Sequence, residues 1–341
     1  MTQLSNAQYR LASRPAGLPT ADNWSRTEEP VRALQDGEVL VEIVYISLDP
    51  AMRGWMNDAR SYIRPVAIGD VMRAAALGRV LESRSPRFAA GDYVAGGLGV
   101  QQYWTGPADD RAAALVKVDP RMAPLPKFLN ALGMPGMTAY FGMLEVGQPK
   151  AGETVVVSGA AGAVGMTVGQ IAKHRGCRVV GIAGGPEKCK FVVQQLGFDA
   201  CIDYKNESVK DALKTHCPDG VDIYFDNVGG DILDTVLTRL ALHARIVICG
   251  AISQYNNTAP VRGPANYLSL LVHRARMEGI VVFDYADRYG VAVKEMAQWM
   301  QAGTFQSRED IVQGLDRFPE ALLMLFEGKN FGKLVLQVAP A

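Results

Sequence analysis

Through the second half of the chain, short β-branched runs alternate with amphipathic stretches. Strand-like runs begin at Thr154, Cys177, Ala200, Val221, Arg245 and Met277. The first five follow at a near-constant spacing, enough for one strand and one short helix each. Residues 187–196, 208–214 and 232–240 supply helical patterns between them. Alternation of this kind predicts an α/β unit with a mainly parallel, doubly wound sheet, whose ligands lie at the carboxyl ends of the strands. The opening run, Thr154 to Ser158, has the composition of a strand buried on both faces. Gly159, Gly162 and Gly165 follow at steps of three, and a helix is predicted over 166–172, with Val168, Ile171 and Ala172 on one face.

The first part of the chain has a different pattern. Strands are predicted over 38–47 and 76–82, and a Gly91-Asp92 turn feeds a third strand through Val94. Shorter candidates lie at 101–104 and 114–118. Short strands broken by Gly, Pro and Asp predict a compact barrel or sandwich. Residues 52–63 are expected to form a loop carrying two exposed aromatics, Trp55 and Tyr62, and two arginines, Arg53 and Arg60. The pattern changes over 127–148, where residues 132–144 are helix-like with glycines between, and this marks the boundary. Beyond Asp284, helices are predicted over 291–302 and 317–328, and a strand over 333–338. That last strand lies far from the β/α repeat and is expected to complete the first domain.

With 341 residues, the chain is long enough for two domains. Its 35 Lys and Arg balance 35 Asp and Glu, so no field draws it to nucleic acid or to an anionic membrane. No apolar run approaches the ~18 residues of a membrane span, and the start does not have the pattern of a signal peptide. Cys177, Cys189, Cys201, Cys217 and Cys249 form no C-x-x-C pair. An odd, scattered set suits free or buried thiols in the reducing cytoplasm.

Strand, glycine turn and helix together are the context of a dinucleotide-binding turn. Side chains there would keep the backbone off a pyrophosphate, and the helix N-terminus offers N–H groups to phosphate. The first glycine of the usual G-x-G-x-x-G is Ala160 here. At the end of the second strand an acidic residue would hold a ribose 2′-hydroxyl. Here Gly184 and Gly185 occupy that tip, and the first carboxylate, Glu187, follows the Pro186 that starts the next helix. Lys188 is placed to pair with a 2′-phosphate, with Lys190 assisting, which favours NADPH; the alternative is two solvated lysines on a helix. Asn227 and the backbone of Gly250, Ala251, Ile252 and Ser253 follow the fourth and fifth strands and are candidate cofactor contacts. Asp226 either joins them or caps the next helix.

Six stretches in order resemble the medium-chain dehydrogenase/reductase superfamily, in its zinc-independent, NADPH-dependent branch of prostaglandin, alkenal and curcumin reductases. They are Leu-Asp-Pro-Ala-Met-Arg-Gly at 48–54, Gly-Met-Pro-Gly-Met-Thr-Ala at 133–139, Ala-Ala-Gly-Ala-Val-Gly at 160–165, Phe-Asp-Asn-Val-Gly-Gly at 225–230, Cys-Gly-Ala-Ile-Ser at 249–253 and Gly-Lys-Asn-Phe-Gly-Lys at 328–333. The resemblance implies a GroES-like β-barrel catalytic domain over 1–127, completed by 303–341, a Rossmann NADPH-binding domain over 128–302, a cleft between them and a homodimer. It implies that Gly162, Ala163, Val164 and Gly165 hold the pyrophosphate and that Lys188 holds the 2′-phosphate. Tyr204 and Asn227 would line the adenosine side. Cys249, Gly250, Ala251, Ile252 and Ser253, with Ile280, Val281, Val282 and Asn330, would flank the ribose and nicotinamide. Tyr255 matches the loop tyrosine near the nicotinamide ribose, and Tyr62 a residue of the substrate pocket.

Zinc-dependent relatives carry a Gly-His-Glu motif and a four-cysteine lobe in the N-terminal half. This chain has no Cys or His before His174. Its four histidines, His174, His216, His243 and His273, form no ligand spacing, so no metal is expected and most should lie at the surface. Without a metal, the easiest hydride chemistry is conjugate reduction of a small enone or enal. Hydride reaches the β-carbon, and hydrogen-bond donors aimed at the carbonyl oxygen stabilise the developing enolate. The ribose 2′-hydroxyl and a tyrosine hydroxyl are the candidate donors, and the α-carbon proton comes from Tyr255 or from water. In a plainer alternative Tyr255 only packs on the cofactor, and Tyr62 is a loop residue at the cleft rim. Competing readings are a quinone reductase, an NADPH-binding protein without turnover and, most weakly, a methyltransferase.

Overall fold

The computed structural model describes residues 4–341. Met1, Thr2 and Gln3, part of the start that lacks a signal-peptide pattern, lie outside the described residues. The chain opens on an antiparallel hairpin of β1 (Ser5–Leu11) and β2 (Trp24–Pro30). It continues through β3 (Glu38–Ser47), α1 (Ala51–Trp55), β4 (Ala76–Ser83), β5 (Tyr93–Gly96), β6 (Tyr103–Pro107) and β7 (Val116–Val118). A second segment carries α2 (Met134–Phe141), β8 (Thr154–Ser158), α3 (Ala163–His174), β9 (Arg178–Ala183), α4 (Pro186–Gln194) and β10 (Ala200–Asp203). It goes on through α5 (Val209–His216), β11 (Val221–Asp226), α6 (Gly230–Leu237), β12 (Leu240–Ile248), α7 (Ser269–His273), β13 (Arg276–Gly279) and α8 (Tyr289–Gln301). The chain closes with β14 (Glu309–Gln313), α9 (Phe318–Glu327) and β15 (Lys333–Gln337). Among the described residues two units result, 4–129 with Glu309–Ala341, and Asn130–Arg308.

The first unit is built on β3, buried along nearly its whole length. One edge of β3 pairs with β4; the other pairs with β6 near Glu38 and with β15 near Ser47. The strand order is β14-β15-β3-β4-β5-β7, with β6 added on β3. The C-terminal strand therefore completes this sheet. The ladder leaves β14 and β7 as ends instead of closing into a ring of hydrogen bonds. β7 is shorter than the stretch 114–118 because Ala114 adopts φ 47°.

Two expectations for residues 52–63 change. A one-turn helix, α1, opens the stretch, and Arg53 and Trp55 are buried where an exposed loop was expected. Five residues are too few for a helical period to show in the sequence. The Arg53 guanidinium donates to the carbonyls of Gly17 and Pro15 and to Asn57 Oδ1, which satisfies it inside the unit. Tyr62 is exposed, and the Trp55 indole N–H lies 3.5 Å from its hydroxyl oxygen.

In the second unit the strand order is β10-β9-β8-β11-β12-β13, all parallel. The central strands β8, β9 and β11 are almost wholly buried, as continuous apolar runs require. Helix α3 starts at Ala163, ahead of the expected Met166, and α6 ends at Leu237, ahead of Leu240. Leu240 instead opens β12, which is longer than expected. Its register against β11 jumps from Leu240 to Arg245, around His243 at φ 62°, and this irregularity hides the strand in the sequence pattern. Of the histidines only His243 is exposed; His174, His216 and His273 are half-buried.

A buried ion pair fixes the C-terminal strand to the first unit. Lys333 is 1% exposed, and its Nζ donates to Leu48 O at 2.7 Å and to Asp49 Oδ1 at 2.6 Å. Burial lowers the Lys333 pKa while Asp49 pushes it back up. Replacing Lys333 with Met keeps the volume but leaves the Asp49 charge without its cation. Such a break costs about 3–5 kcal/mol for a fully buried pair, and the partial exposure of Asp49 points to the lower end. Lys333→Met is expected to lower the unfolding free energy by about 3 kcal/mol, read from the urea midpoint. An unchanged midpoint would show that the pair contributes nothing net.

Candidate functional site

In a parallel sheet every strand ends on the same edge, so the loops after Ser158, Ala183, Asp203, Asp226, Ile248 and Gly279 share one rim. The order of strands reverses between β8 and β11, which makes their ends the switch point. The glycine turn begins there with Gly159 at φ 60°. A Cβ on Gly165 would stand 2.2 Å from the Gly159 carbonyl oxygen, so a side chain would push α3 off the turn. Gly162 is the N-cap of α3, and no side chain caps this helix. The N–H groups of Ala163, Val164 and Gly165 thus open the helix, a donor set suited to phosphate.

Ala160 in place of the usual glycine has a local reason. Its side chain turns into the fold and is fully buried, and its N–H donates to Ile182 O at 3.0 Å. The methyl lies where a Cβ on Gly181 of β9 would come within 2.8 Å, so Gly181 provides the space that Ala160 fills. The substitution leaves the outer face of the turn as bare backbone.

A carboxylate holds the switch point. Asp226 is fully buried, and its Oδ1 accepts from Ser158 Oγ at 2.9 Å, Tyr224 OH at 2.8 Å, Val228 N at 3.0 Å and Gly229 N at 2.9 Å. Gly229 is the N-cap of α6, so Asp226 holds the turn that enters the helix instead of facing the rim. Ser158 Oγ in turn accepts the Asn227 N–H, and Asn227 Nδ2 donates to Ser158 O, at 2.9 and 2.8 Å. Ser158 is a residue that sequence reasoning passed over; its signal was a hydroxyl on the last position of a strand before a glycine turn.

The loops after β11 and β12 join into a ledge. The N–H groups of Cys249 and Gly250 donate to Asp226 O, Ile252 N to Asn227 O, and Ser253 N and Oγ to Val228 O. Burial, with Asp226 adding, pushes the Cys249 thiol up to about 12, so Cys249 is a neutral thiol and no nucleophile. Tyr255 turns back onto this ledge. Its hydroxyl accepts the Ala251 N–H at 3.1 Å and stands 2.9 Å from where a Cβ on Gly250 would be. Ile280 continues the rim through its N–H to Ile248 O, followed by half-buried Val281 and buried Val282.

At the far side of the rim, Gly185 adopts φ 100° at the tip of β9. Lys188 is half-buried in the first turn of α4, Lys190 is exposed, and Tyr204 is exposed beside Gly184. The sequence places no carboxylate on this tip, but the fold brings one from the next strand. Asp203 Oδ1 accepts the Gly185 N–H at 2.8 Å and the Lys205 N–H at 3.1 Å, and Oδ2 accepts Asn206 Nδ2 at 2.7 Å. Desolvation raises the Asp203 carboxyl, but these hydrogen bonds and the Lys205 charge outweigh it and leave the pKa below its ordinary value. Its lone pairs are committed to the tip's own backbone. Two further candidates belong to the first unit: Tyr62, described above, and Asn330, whose Nδ2 donates to Gly332 O at 2.9 Å in the turn before β15.

The arrangement fits a dinucleotide: a turn with no room for a Cβ, a helix start without a side-chain cap, and a rim of loops fixed by their own hydrogen bonds. Two family models match the chain, one for the N-terminal domain of oxidoreductase over residues 7–115 and one for zinc-binding dehydrogenase over residues 163–299. Among the described residues no three His, Cys, Asp or Glu side chains are grouped to hold a metal ion. The chain is similar to the NADPH-dependent curcumin reductase of Escherichia coli (strain K12), 45% identical over 339 residues, which span 98% of this chain and 97% of that protein. It is 41% identical over 342 residues to the 2-alkenal reductase (NADP(+)-dependent) of Nicotiana tabacum, spanning 99% and 98% of the two. The crystal structure of CurA in complex with NADPH from Vibrio vulnificus superposes with a TM-score of 0.92 at 45% identity, covering 98% of this chain and 100% of that one.

Proposed function

The chain belongs to the medium-chain dehydrogenase/reductase family, and from that premise we propose that it reduces the α,β carbon–carbon double bond of enones and enals with NADPH. The observation that carries this reading is full-length likeness, above 40% identity, to curcumin and 2-alkenal reductases. NADPH supplies the hydride that reaches the β-carbon. The chain's own residues bind, orient and hold protons. The uncapped start of α3, with Gly162, Ala163, Val164 and Gly165, would take the pyrophosphate, a role supported by the close approach at Gly159. Lys188 would hold the 2′-phosphate, and Tyr204 and Asn227 would line the adenosine side. Cys249, Gly250, Ala251, Ile252 and Ser253 would line the ribose and nicotinamide, with Ile280, Val281, Val282 and Asn330.

Tyr255 is the candidate catalytic residue. Its hydroxyl oxygen is oriented by the Ala251 N–H, which leaves the O–H proton to be donated in a hydrogen bond elsewhere. Aimed at the substrate carbonyl oxygen, that bond would stabilise the charge that gathers there. The α-carbon then takes its proton from this hydroxyl or from water. Tyr62 is assigned to the substrate pocket. We assign the first unit to the substrate and the second to the cofactor.

A homodimer is supported by the edge of the six-stranded sheet. β13 pairs only with β12 among the described residues. The preceding segment exposes Leu268, Leu271 and Val272, at 57%, 75% and 64%. An open strand edge beside an apolar patch is suited to a second copy across a two-fold axis. No helix among the described residues is long and apolar enough to cross a membrane. The five cysteines are free thiols, which supports a cytoplasmic location.

Incubation with NADPH and 3-nonen-2-one is expected to yield the saturated ketone, identified by mass spectrometry; an allylic alcohol would overturn the proposed reaction. Tyr255→Phe is expected to lower kcat on the order of 10- to 100-fold while NADPH titration by fluorescence stays nearly unchanged. Unchanged turnover would remove Tyr255 from the chemistry. Light scattering is expected to give twice the mass of one chain, and Leu271→Asp to give a monomer. A monomeric wild type would end the dimer assignment.

A further inference from the structure

The fold adds a cation to the tip of β9 that lies outside α4. β10 pairs with β9 in parallel, Asp203 beside Ala183, so the chain leaving β10 passes over Gly184 and Gly185. The Tyr204 N–H donates to Ala183 O at 3.2 Å, which fixes that passage. A Cβ on Gly184 would lie 2.9 Å from Tyr204 Cε1 and Oη and 3.0 Å from Lys205 Cε. The Lys205 stem therefore lies along the tip, with its ammonium one bond beyond Cε. Lys205 is exposed, and its side chain makes no ion pair among the described residues.

The charges around this tip give that ammonium a purpose. A carboxylate beside the second strand's end suits a ribose 2′-hydroxyl and repels a 2′-phosphate. Strand pairing brings the Asp203 carboxylate to this tip, where its lone pairs are taken up but its negative charge remains, and its N–H donates to a second carboxylate, Glu207 Oε1, at 2.7 Å. Against these two negative charges Lys188, with the exposed Lys190 further along α4, leaves the tip no excess of cations for a phosphate dianion. Lys205 offsets the difference from the loop after β10.

We propose that Lys205 is a specificity-determining residue, the second cation of the 2′-phosphate subsite, an inference that rests on the NADPH reading above. Lys188 lies in the first turn of α4 and Lys205 in the loop after β10, and the bare backbone of Gly184 lets Tyr204 and Lys205 lie against the tip. The hydrophobic part of Lys205 packs on the tip, so Lys205→Met removes the charge and keeps the contact.

The test is calorimetric titration of the full-length protein with adenosine 2′,5′-bisphosphate and with 5′-AMP, which differ only in the 2′-phosphate. For an exposed lysine meeting a phosphate, Lys205→Met is expected to weaken the bisphosphate roughly three- to tenfold. Its affinity for 5′-AMP should stay within about twofold of wild type, and Lys205→Arg should restore most of the loss. The loss should shrink at high salt, as screening requires. If wild type prefers the bisphosphate and Lys205→Met keeps that preference in full, the Lys205 assignment is wrong while the NADPH reading stands. Equal weakening of both ligands would make Lys205 structural and also overturn the assignment. A wild type that does not distinguish the two ligands would overturn the assignment and the NADPH reading together.

Discussion

The nucleotide rim depends on one buried oxygen. Strands β8 and β11 end side by side at the switch point, and their last residues must be tied without filling the space above them. Asp226 Oδ1 does this by accepting from Ser158, Tyr224, Val228 and Gly229. Its other oxygen, Oδ2, is buried with no hydrogen-bond partner. Burying a carboxylate is tolerable only because several donors converge on it. The same constraint raises the neighbouring groups: burial first and the Asp226 charge second hold the Tyr224 hydroxyl far above its ordinary pKa and keep the Cys249 thiol protonated. The Cys249 thiol on the rim is therefore held neutral and is no nucleophile.

From that anchor the ledge follows in sequence order. Asn227 is fixed to Ser158 by two hydrogen bonds, the 249–253 loop hangs on Asp226, Asn227 and Val228, and Tyr255 closes over Gly250. The loops are held to one another by backbone bonds and by their own polar side chains, Asn227 and Ser253 among them. A residue such as Tyr255 can then be oriented from a coil segment with little freedom left in its hydroxyl, the preorganisation that hydrogen-bond catalysis needs. In the other unit, Lys333 plays the corresponding part, joining the ends of β3 and β15 through Leu48 and Asp49.

Much of this was legible along the chain. Five of the six parallel strands were expected within a residue or so of where they start, because central strands of such sheets are continuous apolar runs bounded by glycine turns. The return of β15 to the first unit followed from its distance from the repeat. Elements that did not show are short or irregular: α1 with five residues, the β1–β2 hairpin, β14, and the start of β12 hidden by its register shift. Arg53 and Trp55 misled for a related reason, since an arginine satisfied by three internal acceptors has the same letter as one in solvent.

By itself the sequence determined the class of fold, the glycine turn between its first strand and helix, and the absence of an acidic residue on the tip of the second strand. These are local properties, fixed by spacing and by which positions lack a Cβ. Only the tertiary structure decided that Asp226 holds the helix turn, that Ala160 fills the space left by Gly181, and that Asp203, Tyr204 and Lys205 reach that tip from the neighbouring strand. Strand pairing brings together residues about twenty positions apart, and hydrogen bonds are spent between whichever groups that pairing makes adjacent. A single strand's sequence carries no record of its neighbour, so the charge balance at the tip could not be read before the sheet was assembled.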